Sequence, residues 1–201
     1  MKRFIYLSSA AVYGEPKSVP VSEDAPTYPI SFYGVSKLVG EEYCRLFNSA
    51  DGLGTISLRL FNVYGPRQSH GPYAGVITTF VDRLFKNRSL TIYGDGLQTR
   101  DFVHVADVVQ AVVAVASSKS DTNGKVFNIG SGKAITIRSL AQRLANICGK
   151  RLEPRYTRPR KGDIRRSCAD VKRAADNLGF RSRVPLDQGL ADYVASRRKK
   201  S

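Results

Sequence analysis

Apolar residues along this chain fall into short compact runs that alternate with helical stripes. Residues 4–7, Phe-Ile-Tyr-Leu, form an apolar run bounded by polar residues, the pattern of a strand buried in a parallel sheet. A loop rich in proline and polar residues comes next, over 15–29. Val35, Leu38, Val39, Tyr43, Leu46 and Phe47 then recur at helical spacing and predict a helix over about 31–48. Asp51-Gly52-Leu53-Gly54 ends it. Residues 55–61 read as the next strand. This strand–helix–strand order predicts a parallel α/β sheet with a right-handed crossover. Further along, helices are predicted over 76–87, 107–117 and 136–148, and strands over 90–93, 125–129 and 151–156. Two weakly amphipathic helices, near 169–178 and 186–196, close the chain. No internal repeat or low-complexity segment interrupts the pattern.

Composition changes this picture only at the ends. With 42% hydrophobic and 24% charged residues, the 201-residue chain is long enough for one domain with a real core, or one and a half small ones. No apolar run reaches the roughly 18 residues of a membrane span. The amino-terminal apolar stretch is too short for a signal peptide. Cys44, Cys148 and Cys168 are odd in number, widely spaced and free of any Cys-x-x-Cys pattern, so they read as reduced thiols of a cytoplasmic protein. The formal net charge of +15 is concentrated late, since residues 150–200 hold 16 Lys or Arg against 6 Asp or Glu. Such a surface suits an anionic ligand, a nucleotide diphosphate or a nucleic acid. The nucleic-acid reading ranks last, because the basic residues are not interleaved with an aromatic patch in any recognised module.

Chemistry enters at Tyr33-Gly34-Val35-Ser36-Lys37. On a helix Tyr33 and Lys37 share one face, four positions apart. There the ammonium can approach the phenol and favour its ionised form. Ser9, at the carboxyl end of the first predicted strand, offers a neutral hydroxyl to a substrate oxygen. A Tyr–Lys pair with a Ser is a proton-transfer device. Asn62 leaves the second strand in Asn-Val-Tyr-Gly-Pro-Arg, and ligands in open α/β sheets bind outside such strand ends. Gly130-Ser131-Gly132 reads as a tight strand-to-helix turn. Ile135 stands where a dinucleotide fingerprint needs its third glycine, and the glycine spacing does not fit a Walker loop. Asp101 and Asp107 read as structural, a helix-start cap and a local salt-bridge partner. His104 has no second His or Cys nearby, so it forms no metal set.

The flanks of these residues resemble the extended short-chain dehydrogenase/reductases, the NAD-dependent epimerase/dehydratase family of sugar-nucleotide enzymes. Ser8-Ser9-Ala10-Ala11-Val12-Tyr13-Gly14 resembles that family's strand end bearing a catalytic Ser or Thr. Ser31-Phe32-Tyr33-Gly34-Val35-Ser36-Lys37 resembles its Tyr-x-x-x-Lys helix. Gly94-Asp95-Gly96-Leu97-Gln98-Thr99-Arg100-Asp101-Phe102 and Arg160-Lys161-Gly162-Asp163 resemble two of its nucleotide-binding segments. The resemblance implies Ser9, Tyr33 and Lys37 as catalytic residues, with Tyr33, Lys37 and Phe61 against NAD. It implies substrate contacts from Ser9, Tyr33, Asn62, Val76, Tyr93, Arg100, Arg160 and Asp163. Among these, Asn62, Arg100 and Arg160 would meet the diphosphate, Tyr93 would lie near the uracil, and Asp163 would take a ribose hydroxyl or a neighbouring backbone donor.

The resemblance implies an α/β fold, the C-terminal two-thirds of an extended Rossmann-type doubly wound parallel sheet with a small α/β substrate domain. Residues 1–63 and 100–130 would be the remnant of the cofactor domain, and 64–99 and 131–201 the nucleotide-sugar region. The family's opening strand, Gly-rich loop and helix, which seat the cofactor pyrophosphate, do not precede Ser9 here. The remaining sheet is therefore expected to expose apolar strand edges and helix faces. Dimerisation of the family type, through the helix of Tyr33 and the one before it, is disfavoured for the same reason.

Within the family the reaction turns on the two residues directly after the Ser or Thr. Dehydratases carry Asp-Glu there to eliminate water, and decarboxylating relatives usually carry a Glu. This chain has Ala10 and Ala11, which transfer no protons. The expected activity is therefore NAD-dependent 4-epimerisation of a UDP-hexose of the glucose/galactose type through a 4-keto intermediate. The alternatives are a catalytically silent nucleotide-sugar-binding fragment, or another epimerase, dehydratase or decarboxylase of the family. No metal and no membrane are expected as partners.

Overall fold

A computed structural model describes residues 3–68, 75–118, 122–151 and 154–198. The first strand, β1 (Arg3–Ser9), runs into a short 3-10 turn, Ala10–Tyr13. After the proline-rich loop comes helix α1 (Phe32–Asp51), then β2 (Gly54–Leu60). Ser31 caps α1, its hydroxyl accepting from the Gly34 amide at 3.0 Å, and Gly52 ends it in the left-handed region at φ 65°. The chain continues through β3 (Asn62–Tyr64), α2 (Val76–Phe85), β4 (Thr91–Tyr93), β5 (Thr99–His104) and α3 (Val105–Ser117). It ends with β6 (Val126–Ile129), β7 (Ala134–Thr136), α4 (Ile137–Cys148), β8 (Arg155–Thr157), α5 (Lys172–Leu178) and α6 (Leu186–Arg198).

The predicted parallel sheet is present, in the order β1–β2–β6. β1 pairs with β2 along its whole length, Arg3 opposite Gly54 through Ser9 opposite Leu60. A second sheet, β3–β5–β7, joins a parallel and an antiparallel pair, and β4 pairs with β8 in parallel. One apolar cluster, with Ile56, Leu58, Val103, Val108, Phe127 and Ile129 at its centre, packs the first sheet against α3 and α5. A larger one unites α2, α4 and α6 around Phe80, Ile92, Leu140, Leu144 and Tyr193. A third, smaller cluster of Val12, Tyr13, Val21, Phe61 and Ala169 lies beneath the 3-10 turn.

Exposure follows one expectation and overturns another, since residues 4–7 are not the buried strand their pattern suggests. The stripe Val35, Val39, Tyr43, Leu46 and Phe47 of α1 faces outward, and only Gly34, Glu41 and Cys44 of that helix are fully buried. Phe4 and Leu7 of β1 and Val109 and Val113 of α3 are exposed as well. This is the bare edge and helix face anticipated above. Residues 62–64, 99–104 and 134–136 are strands where none was predicted. The last predicted strand forms over Arg155–Thr157, and α5 begins at Lys172, because Ala169 instead bridges to Val21.

Candidate active site

Ser9 ends β1 and caps the 3-10 turn, its Oγ accepting from the Ala11 amide at 3.2 Å. The first turn of α1 lies directly against that turn. A Cβ on Gly34 would stand 2.6 Å from the Ala11 carbonyl oxygen, closer than side-chain carbons approach, so the glycine permits the contact. That contact brings Tyr33 to Ser9. Both line a cavity of about 250 Å³ together with Ala10, Ala11, Phe61, Asn62 and Arg100. Ala10 and Ala11 contribute to its wall and bring no ionisable group there.

A second cavity of about 450 Å³ shares Asn62 and Arg100 with the first and adds Val76, Tyr93, Arg160 and Asp163. Every residue predicted to touch cofactor or substrate, Lys37 excepted, thus lines one of two cavities that meet at Asn62 and Arg100. Lys37 lines neither. Its ammonium donates to the Leu7 carbonyl at 2.8 Å and lies 5.8 Å from the centre of the Tyr33 ring and 5.2 Å from that of Tyr6. The ammonium thus stays within cation–π reach of the Tyr33 ring, on the face the four-residue spacing gives it, while its hydrogen bond goes to the strand.

The nucleotide-binding candidates are held by one another. Arg100 pairs with Asp163, and burial draws its guanidinium below its ordinary pKa even with that carboxylate and Glu15 nearby. Arg160 stacks over Tyr93 at 4.0 Å, and its hydrogen bond and charge draw the Tyr93 phenol below the ordinary tyrosine value. Arg165 grips Asp95 through two bonds of 2.7 and 2.8 Å, holding that carboxyl at a pKa of about 2. Residues 158–165 form a strap whose Arg160 and Asp163 line the second cavity. Gln98 supports its floor by donating to the Tyr93 carbonyl at 2.9 Å.

Two structural residues differ from expectation. Asp101 caps no helix. It accepts from the amides of Ser131, Gly132 and Ala169 at 2.7, 3.0 and 3.0 Å and from the Ser131 hydroxyl at 2.6 Å. The Gly130–Gly132 turn thus does cradle an anion, an internal carboxylate, and is closed to phosphate. Asp107 holds the chain at 182–184 through the Ser182 hydroxyl and the Arg183 and Val184 amides. The α3 cap is His104, whose Nδ1 accepts from the Ala106 amide. Among the described residues no three His, Cys, Asp or Glu gather as a metal set, and no helix is long and apolar enough to cross a membrane.

Sequence reasoning also missed a buried pair below the site, Glu41 and Arg59. The only signal was Arg59 inside an otherwise apolar strand run, Ile-Ser-Leu-Arg-Leu-Phe.

Comparison with known proteins gives this arrangement relatives. A putative UDP-glucose 4-epimerase of Methanocaldococcus jannaschii is 43% identical over 187 residues, which is 93% of this chain and 60% of that protein. The crystal structure of UDP-glucose 4-epimerase with UDP-glucose from Thermotoga maritima superposes with a TM-score of 0.94 at 39% identity, covering 100% of this chain and 64% of that one. UDP-glucuronic acid 4-epimerase from Bacillus cereus, in complex with UDP-glucuronic acid and NAD, gives a TM-score of 0.93 at 34% identity, covering 99% of this chain and 62% of that one. The chain therefore spans under two-thirds of the length of these relatives. The NAD dependent epimerase/dehydratase family matches residues 1–130, the stretch that contains β1, α1 and most of the lining of the Ser9 cavity. Ser9, Tyr33 and Asn62 therefore belong to a recognised scaffold, and the chain is a member of the NAD dependent epimerase/dehydratase family.

Proposed function

We propose that this chain carries the catalytic and nucleotide-sugar half of an NAD-dependent UDP-hexose 4-epimerase of the glucose/galactose type. The observation that carries the reading is the Ser9 cavity, where Tyr33 and Ser9 face a wall made of Ala10 and Ala11. That wall offers a proton-transfer phenol and an orienting hydroxyl, and no acid–base pair for dehydration. Tyr33 takes the proton of the sugar 4-hydroxyl, and Ser9 holds the 4-oxygen by hydrogen bond. Lys37 keeps positive charge beside the phenol while anchored to Leu7. Tyr33 is 56% exposed beside Phe61, a rim that suits a planar ring. Tyr33, Lys37 and Phe61 would hold the nicotinamide end of NAD, which when bound accepts hydride from C4 and returns it to the opposite face. Asn62 and Arg100 meet the diphosphate where the two cavities join, with Arg160 adding a second guanidinium. Tyr93 and Val76 face the uridine, and Asp163 exchanges Arg100 for a ribose hydroxyl. The division into a cofactor side, 1–63 and 100–130, and a sugar-nucleotide side, 64–99 and 131–201, is supported by the two large apolar clusters, with Ala174, Leu178 and Phe180 crossing to the cofactor side and Phe102 to the other. The free thiols fit a reducing, cytoplasmic setting.

The bare face of β1 and α1 favours a second reading, a binding protein that keeps the nucleotide-sugar pocket without turnover. Purified chain supplied with NAD and UDP-glucose separates the two, since the first reading requires UDP-galactose to form. Tyr33→Phe should lower turnover by about 10²–10⁴-fold while leaving UDP affinity nearly intact. A loss of UDP binding instead would contradict the role given to Tyr33.

A further inference from the structure

Beneath the active site lies a buried polar knot that the proton-transfer scheme does not use. Glu41 stands on the inner face of α1, one turn beyond Lys37 and two beyond Tyr33. Arg59 stands on β2, directly opposite Ser8 in the β1–β2 ladder. The Arg59 guanidinium bonds both oxygens of Glu41, Nη2 to Oε2 at 2.7 Å and Nε to Oε1 at 3.0 Å. The Ser8 hydroxyl donates to the same carboxylate at 2.5 Å. The remaining arm, Nη1, donates to the Tyr13 hydroxyl at 2.9 Å and the Glu23 carbonyl at 3.1 Å, and Tyr13 donates its own proton to Asn128 on β6 at 2.7 Å. Both charged side chains are more than nine-tenths buried. Burial disfavours the Arg59 charge, but Glu41 and Tyr13 outweigh it and raise its pKa above the ordinary value.

A buried ion pair is a weak stabiliser, because desolvation offsets its attraction and an apolar pair of similar volume often serves as well. What a bidentate guanidinium–carboxylate pair supplies is direction. Direction matters for α1, whose outer stripe is exposed and whose fully buried residues are only Gly34, Glu41 and Cys44.

We propose that the Glu41–Arg59 pair is a positioning device that fixes the rotation of α1 over β1 and β2, and so holds Tyr33 at the Ser9 cavity. The proposal rests on the reading of Tyr33 as the proton-transfer group. Tyr33 lies about 12 Å along the helix from Glu41, and a roll of about 20° would carry a side chain at a radius of roughly 6 Å sideways by about 2 Å. A misplacement of about 1 Å can cost about 10²-fold in rate.

The test uses the double variant E41M/R59L, which removes both charges together, with R59K as the conservative control that keeps charge but loses the fork. If the pair positions Tyr33, the double variant keeps its melting temperature and binds UDP within about twofold of wild type, since neither side chain lines the nucleotide cavity. Its turnover of UDP-glucose falls by about 10²-fold at unchanged KM, and amide exchange over residues 33–37 rises by about tenfold. R59K recovers part of both. Unchanged turnover and exchange would overturn the proposal. So would a joint fall of melting temperature, UDP affinity and turnover, which marks a merely structural pair. If the wild-type chain does not turn over UDP-glucose, the functional reading fails by itself. The exchange at 33–37, measured against melting temperature, then decides on the pair alone.

Discussion

Helices α4 and α1 both carry an apolar stripe, yet α4 buries six of its twelve residues and α1 three of its twenty. Helix α4 lies between α2 and α6, and its Leu140, Ala141 and Leu144 have no exposure. Helix α1 covers the sheet on one side only. Its Phe32 is 97% exposed, and β1 beside it offers a strand edge with no partner among the described residues. A hydrophobic stripe thus records that a face is built to be covered. It does not say what covers it. On the α4 side the chain itself does so, and the nucleotide cavity rests on that finished packing. On the α1 side the groups proposed for proton transfer sit at the margin of an unfinished one.

The largest expected contrast is between Leu144→Ala and Val39→Ala. The first empties space in a closed core and should cost about 3 kcal/mol; the second removes exposed methyls and should stay within about 0.5 kcal/mol. Urea denaturation measures both, and comparable losses would break the comparison. Next comes Asp101→Asn at the seam between the regions. Replacing a buried carboxylate that accepts three amides and a hydroxyl should cost about 2 kcal/mol, read by the same denaturation curves. Smaller in stability but direct is Val39→Lys with Tyr43→Lys. Binding of an apolar dye and self-association should both fall, while the urea midpoint stays within about 0.5 kcal/mol. Unchanged dye binding would mean that the exposed surface lies elsewhere.

The strap on the packed side gives the smallest effects. Asp95 has its carboxyl at a pKa of about 2 against an ordinary 3.8. Its bond to Arg165 therefore contributes fully above about pH 4 and is lost as pH falls through about 2. NMR of the Arg165 side chain should show no change between pH 8 and 5 and release only in that acid window. At the other end, Arg160→Ala should return the Tyr93 phenol upward toward its ordinary range, seen by ultraviolet titration of the two proteins against Tyr93→Phe.

Much of this was legible in the chain, for identifiable reasons. The parallel β1–α1–β2 unit and the helices α2, α3 and α4 follow from periodicity, because long stripes outweigh local ambiguity. Strands β3 and β7, three residues each, were invisible because their pairing is set by distant partners and not by pattern. The site residues around Ser9, Tyr33, Asn62 and Arg100 were legible through their flanking motifs, and the structure gathers them into adjoining cavities. The bond from Lys37 to Leu7 was not legible, since spacing along a helix says which residues share a face and not which outside group they meet. Glu41 and Arg59 were missed because a charged residue in a helical or strand pattern reads by default as solvent-facing. Asp101 was misread for a related reason: the glycine turn that needs an anion finds it thirty positions away in sequence.

The contact of Gly34 with the Ala11 carbonyl also sets a tolerance. A single added methyl group, the smallest change available to a gene at that codon, would wedge the phenol-bearing helix away from the hydroxyl-bearing turn. In a complete substitution scan, position 34 should therefore reject every side chain on steric grounds, beside the chemical intolerance expected at Tyr33. Phe32, two positions earlier and open to solvent, should accept almost any side chain.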